Sequence, residues 1–543
     1  MSLFVAKTRH GGRPLAAAGR SVIYGVSATA VIGLLAGCGS SAASAARVRT
    51  SHRAKVANGG DLAVQFAGPP ISLNPALGGN GGSAVYTALA YDPLIYLSSR
   101  GKFLPDLATS WRYVRKGHKA FELTLRRGVK FTDGTAMTAK DVVASMKYFL
   151  RAGGGLVGGV GDITSITAPS AYKVLVRWKT ANPDAVGTMD QFYGIGQIIG
   201  PKGLAHPSSL LTSSDGTGQY IYDNGASTTN SVYTYKRNPH YFNPSAQHFS
   251  QIQVKVIGDP TSVLSAMQTN EVQFASGAPT TLAAAKAAGL RIYKEPFFQW
   301  ELIVPWRKNI VPALDKLKVR EAIAYALNRP ALARALGAAI TSPATEVAMP
   351  QADGYVKGAG WTYNLAKAKA LMKQAGYPHG FTVPVLAESL IDPNTTTAQA
   401  LTQNLTDIGI KTKMTVISTG IGQFIAAAQT GKYGIVVFPG AGVDMYQVAQ
   451  QILTPGVFNP AHLPTPPAIA STLAKAYASS GAAQTRLYQK VDRQLDSLAS
   501  WIPGVLALSP NYVSPKLVNV TESFLDPNPI PVGPTSATSW AMK

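Results

Sequence analysis

Phe121 to Val142, FELTLRRGVKFTDGTAMTAKDV, changes its period halfway along. Phe121, Leu123 and Leu125 alternate with Glu122, Thr124 and Arg126, the two-residue repeat of a strand with one buried face. Arg127-Gly128 interrupts that repeat, Val129-Lys130-Phe131 resumes it briefly, and Asp133-Gly134 makes a tight turn. Ala139, Val142, Val143 and Met146 then recur at helical spacing, with Thr138 placed as N-cap and Asp141 at the third position for a capping-box-like pair. The passage reads as strand, turn and capped helix, the helix running to about Leu150. Turn glycines and caps hold folds together far more often than they carry chemistry.

Working outward, the same two periods recur along the chain. Leu62, Val64 and Phe66 alternate as a first strand beginning at Asp61. Ile163–Ile166 and Tyr172–Trp178 read as a hairpin turning at Pro169-Ser170, and Ile252–Ile257 as a strand followed by a helix holding Val263–Met267. Arg291–Trp306 is a long apolar run punctuated by aromatics. Val319–Arg329, Ala366–Met372 and the stretch around Leu401 and Leu405 read as amphipathic helices whose apolar residues share one face. With 543 residues, 46% hydrophobic and 14% charged, the chain can bury several cores and is globular in class. A formal net charge of +23 would suit a partner of opposite charge, but Lys and Arg are scattered, with no basic run that would track a phosphate backbone. No nucleic acid partner is expected.

Reactive constellations are missing from the sequence. It has no GxSxG, HExxH, Walker A or CxxC motif, and Gly153, Gly155 and Gly158 form a GxGxxG that trails a helix instead of opening one. The closest histidines, His240 and His248, flank a Pro-containing loop and read as surface residues. No catalytic residue, cofactor or metal site is expected. The 23 tyrosines suit a binding cleft as well as a core.

Leu104-Pro105-Asp106-Leu107-Ala108, Ser110-Trp111, Gly128–Phe131, Asp133-Gly134 and Thr138–Val142 together resemble, in order, the signature of the bacterial family 5 extracellular solute-binding proteins, the oligopeptide, dipeptide and nickel receptors of ABC importers. Further landmarks are similar: Ser72-Leu73-Asn74-Pro75, Tyr91–Tyr96, Gly216-Thr217-Gly218-Gln219-Tyr220 for the family's GTGPY, and Asn238–Phe242 for its NPxYW. Asn270-Glu271-Val272-Gln273 departs from the usual GEVD in both outer positions. The resemblance, which covers nearly everything from Asp61 onward, implies an α/β, two-lobed periplasmic-binding-protein-like fold (class II, the three-domain peptide-binding type) with a cleft between the lobes. It implies lobe I from 61–88, 216–298 and 505–543, an inserted subdomain at 89–215, and lobe II at 299–504. The chain would cross first within Arg291–Trp306 and return near Trp501–Gly504.

The N-terminus fits that picture. Lys7, Arg9, Arg13 and Arg20 precede a mostly apolar Ser21–Ala36, too short for a convincing permanent span. Leu35-Ala36-Gly37-Cys38 resembles the lipobox of bacterial lipoproteins, which implies a signal peptide at 1–37, a lipid-carrying Cys38 and a flexible tether over 38–60. The protein would then sit on the outer face of the cytoplasmic membrane.

The resemblance also implies a ligand site. In peptide-binding members the aspartate matching Asp444 receives the ligand's α-ammonium, and the expected lining is Asp444, Gly442, Ala441, Gly440, Phe438, Trp300 and Pro69. A carboxylate in a water-poor cleft selects a cation that pairs with it. The other reading of Asp444 is an exposed loop carboxylate. Ala441 in place of a frequent Trp, and no Pro downstream of Asp444, count against a peptide. The function implied is that of a monomeric receptor capturing a peptide or other small solute by lobe closure and passing it to ABC permease subunits. A non-peptide solute such as a metal chelate, haem, sugar or amine, a scavenging or signalling receptor, and a surface hydrolase are the alternatives.

Overall fold

The computed structural model describes residues 59–543 apart from 79–80, 155–156, 305–310, 390–394, 419–420, 441–443, 455–458, 460–461 and 523–528. The expected signal segment and Cys38 lie outside the described residues.

Phe121, Leu123 and Leu125 are buried in the strand Ala120–Leu125, as its alternation requires. This strand sits in a four-stranded sheet with Ala108–Tyr113 on one side and the hairpin Lys173–Trp178 and Ile163–Ser170 on the other. The Asp133 carboxylate accepts from Thr135 N at 2.9 Å while Gly134 takes φ +86°, which closes the turn. The helix Ala139–Ala152 follows, with Asp141 Oδ2 accepting from Thr138 N at 2.8 Å and Thr138 Oγ1 at 2.7 Å. Gly153, the first glycine of the apparent nucleotide motif, is the left-handed C-cap of this helix.

A second, larger sheet joins two groups of core residues. Its strands run in the order Lys411–Ile417, Thr382–Glu388, Ile435–Gly440, Arg291–Ile303, Trp501–Val513, Phe274–Ser276, Asp61–Phe66, Gln251–Val256, Val232–Arg237 and Tyr220–Tyr222. Arg291–Ile303 and Trp501–Val513 are the two crossings, paired antiparallel from Arg291↔Val513 to Ile303↔Trp501. The pairing shifts register at Pro296/Phe298 and Trp300/Glu301; irregularities of this kind bend a strand and sharpen its twist. Tyr293 packs on the first lobe's core, whereas Leu302 and Ile303 belong to the second lobe's. One strand pair therefore has a foot in each lobe.

In the first lobe, Asp61–Phe66 lies parallel to Gln251–Val256 with Leu62 and Val64 buried. Gln65 breaks the alternation, and its buried amide is used on both sides: Nε2 donates to Ile257 O at 2.6 Å and Oε1 accepts from Ser276 N at 3.0 Å. The Gly216-Thr217-Gly218 turn presses on the Ala90–Tyr91 backbone so closely that a Cβ at either glycine would come within 2.3 Å of Ala90. Only glycine fits such an approach.

One expected helix is two. The Val319–Arg329 stretch forms Leu317–Ala326 and then Arg329–Ala335, because Asn328 caps the second helix through Ala331 N at 3.2 Å and Pro330 stands in its first turn. Arg329 is 1% exposed and donates to the carbonyls of Ala344, Pro503 and Ala324, so it is scaffold for the second lobe. Among the described residues no helix is long and apolar enough to cross a membrane.

Candidate functional site

The strand Ile435–Gly440 leads through 441–443 into the helix Met445–Leu453. Asp444 is the N-cap of that helix, its Oδ1 accepting from Gln447 N at 2.8 Å. A short acidic side chain there satisfies one of the amides that a helix start leaves without a partner. Asp444 is therefore a half-buried helix cap, and the reading of it as an exposed loop carboxylate is corrected. Burial, the charge of Asp184 and that of Asp353 push its carboxyl well above the usual range, against the bond from Gln447.

Two more carboxylates meet the same first turn. Asp353, from the second lobe, accepts from Met445 N at 3.0 Å. Asp184, which follows the strand Lys173–Trp178 of the first lobe, accepts from Gln447 Nε2 at 3.2 Å and from Gly187 N at 3.2 Å. Burial above all, with Asp190 and Asp353 adding to it, raises the Asp184 carboxyl from 3.8 to about 7. Asp353 is raised too, again chiefly by burial. Asp184 and Asp444 are half-buried, and Asp353 is exposed. None of the three makes an ion pair with a described Lys or Arg.

Tyrosines wall this space. Tyr446 and Tyr477 meet edge to face at 5.0 Å, and Tyr477 and Tyr488 at 6.3 Å. Burial first, and then nearby charges and rings, pushes all three hydroxyls up. Tyr193 of the first lobe faces the same acids and is raised for the same reasons. The lobes touch here a second time, where His118 Nδ1 lies 2.6 Å from Tyr477 O.

The other expected residues are dispersed around this centre. Gly440 is buried and pairs through its backbone with Gln299, and Trp300 pairs with Pro439 and Val505. The Trp300 side chain, Ala441 and Gly442 lie outside the described residues. Phe438 stacks on Phe424 at 5.1 Å within the second lobe's core. Pro69 is exposed in the loop after the first strand, next to Gly68, whose carbonyl accepts from Tyr86 Oη at 2.6 Å. Asp184, Asp353, Tyr193, Tyr477, Tyr488 and Gln447 escape sequence reasoning. They are far apart in the chain, and only Gln447 lies within three residues of a flagged position.

A separate cavity of about 460 Å³ is lined by residues including Tyr96, Arg100, Lys102, Gln191, Ile530 and Trp540. All its walls belong to the first lobe, so closure of one lobe on the other would not enclose a solute there. The meeting point of Asp184, Asp353 and Asp444, which draws on both lobes, is the better candidate site.

Two α/β lobes joined by paired crossing strands, with polar groups from both converging in the gap, define a periplasmic-binding-protein-type fold. The chain belongs to the bacterial extracellular solute-binding proteins, family 5, whose middle-region model matches residues 102–457. It is 28% identical over 348 residues to a glutathione-binding protein, GsiB, of Escherichia coli O1:K1, covering 61% of this chain and 64% of that one. The match thus spans a little under two thirds of the curated relative's length. Among solved structures, the Helicobacter pylori DppA protein in complex with the peptide STSA superposes with a TM-score of 0.74 at 20% identity, over 90% of this chain and 98% of that one. NikA from Brucella suis in complex with Fe(III)-EDTA gives 0.74 at 19% identity, over 89% and 100%. At these identities the likeness is one of fold.

Proposed function

We propose that the protein is the extracytoplasmic receptor of an ABC importer, a monomer that captures a peptide or another amine-bearing solute by lobe closure and hands it to a permease pair. The observation that carries this reading is the Asp444 carboxylate. One oxygen is tied to Gln447 N, the carboxylate has no cationic partner among the described residues, and it stands beside Asp184 of the other lobe. A ligand ammonium entering there gains a charge-assisted bond and relieves the crowding by Asp184. A ligand that touches both lobes favours the closed form by its differential affinity for that form. Gly440, Ala441, Gly442, Trp300, Phe438 and Pro69 are proposed for the rest of the lining on the family pattern. The lobe boundaries proposed are those at 88/89, 215/216, 298/299 and 504/505. Membership of a family of binding proteins supports a receptor over an enzyme. Cys38 is proposed as the lipid anchor, so Cys38→Ser should release the protein from membranes, and continued membrane retention after signal processing would refute the anchor.

The test of the receptor reading is native mass spectrometry of the purified protein, with the ligand weighed after denaturation, followed by calorimetry of that solute on wild type and Asp444→Asn. An amine-bearing solute bound at least tenfold more weakly by Asp444→Asn is expected. Equal binding by both would overturn the role of Asp444.

A further inference from the structure

The helix Met445–Leu453 begins amid more negative charge than the protein neutralises. Asp353, Asp444 and Asp184 are bound by Met445 N, Gln447 N and Gln447 Nε2 respectively. A helix N-terminus carries about half a positive charge, which offsets part of one carboxylate and leaves the rest. Asp444 and Asp353 each take a first-turn amide, whereas Asp184 takes only a side-chain bond, so helix capping does not account for Asp184.

A second observation points into the same space. Tyr446 is 4% exposed, and its hydroxyl has no hydrogen-bond partner among the described residues. It lies against the first lobe, 3.2 Å from where a Cβ on Gly161 would stand, with Asp184, Asp444 and Asp162 acting on it. A hydroxyl without a protein partner is available to hydrogen-bond a polar guest. The tyrosine faces beside it attract cations as well.

The carboxylates come from opposite lobes, Asp184 from the first and Asp353 and Asp444 from the second. A guest with one ammonium would neutralise one and leave a negative surplus facing across the gap. We propose that the captured solute presents two cationic groups to this end of the cleft, one to Asp444 and one to Asp184, as a diamine or a peptide beginning with Lys or Arg does. This rests on the receptor reading above and narrows its ligand class. The second cation ties the lobes: like charges on facing lobes favour the open form, and a guest bridging them makes binding and closure one event.

The test is calorimetry at pH 7.5 with two matched pairs of probes, cadaverine against pentylamine and Lys-Ala-Ala against Ala-Ala-Ala, on wild type and Asp184→Asn. Asn keeps the acceptor for Gly187 N, so the loop should fold. The dicationic member of a pair is expected to bind at least tenfold more tightly to wild type. Asp184→Asn should cost that member at least tenfold more affinity than it costs the monocation. Equal binding within each pair would overturn the two-charge proposal and leave an amine receptor standing. Binding by none of the four would overturn both. A preference for dications that survives in Asp184→Asn would refute the assignment of Asp184.

Discussion

Replacing Asp444 by Asn should make the ligand-free protein more stable while weakening its grip on an amine. Asn is as good an N-cap as Asp, so the 2.8 Å bond from Gln447 N is retained. What disappears is one of three crowded charges. Asp184, beside it, is held at about 7 instead of 3.8, and a shift of that size corresponds to on the order of 4 kcal/mol. Burial is the largest part of such a cost and neighbouring charge the smaller; for Asp444 both are removed by a neutral amide. Some attraction to the helix dipole, about 0.3–1 kcal/mol, is lost in exchange. The net gain expected at pH 7.5 is about 1–2 kcal/mol. Asp444→Ala, which also forfeits the cap at about 1 kcal/mol, should stand close to wild type. Thermal melting of the three proteins at pH 7.5 and pH 4.5 decides the matter. The Asn variant should melt highest at pH 7.5, and its advantage should shrink at pH 4.5, where protons discharge the wild-type carboxylates. If Asp444→Asn melts below wild type at pH 7.5, or ranks with Asp444→Ala, the crowded-charge account of this site is wrong.

The ligand-free protein should lose stability as pH rises. Asp184 at about 7 and Asp492 at about 6 bind protons in the folded state that the unfolded chain releases near 3.8, so their contribution is complete below about 4 and is lost through pH 6 to 7. Melting temperatures should fall between pH 5 and pH 8, less steeply in Asp184→Asn; a flat or rising profile would contradict this. Gly218→Ala should destabilise by about 2–3 kcal/mol in urea unfolding, since its Cβ would meet the Ala90 carbonyl carbon at 2.3 Å, and a neutral effect would mean that this backbone yields freely. Arg329→Met should cost about 3 kcal/mol by leaving the carbonyls of Ala344, Pro503 and Ala324 without a donor, while the preference among amine probes stays as in wild type. Loss of that preference would place Arg329 nearer the ligand than its contacts put it.

The strands and caps were legible because each is a local matter. Phe121, Leu123 and Leu125 point one way for reasons contained in six residues, and Thr138 with Asp141 in four. The break at Asn328 was hidden because Val319 to Arg329 keeps a helical repeat across it, and one Asn cap with one Pro overrides that period. The site was legible in one residue only. Asp444 stands out beside an apolar strand, but Asp184 and Asp353 are ordinary loop acids until the fold brings them to the same helix end. No local pattern records a meeting between residues that far apart.

The place of Trp501–Val513 in the large sheet has a consequence for how the molecule is made. It lies between Phe274–Ser276 and Arg291–Ile303, near the middle of a sheet whose other strands are all earlier in the chain. A polypeptide emerging from a ribosome or an export channel N-terminus first therefore holds two open strand edges while the whole second lobe is still arriving. The lobe begun first is finished last. Unpaired edges invite wrong partners, so the chain is most exposed to mispairing until residue 513 is out.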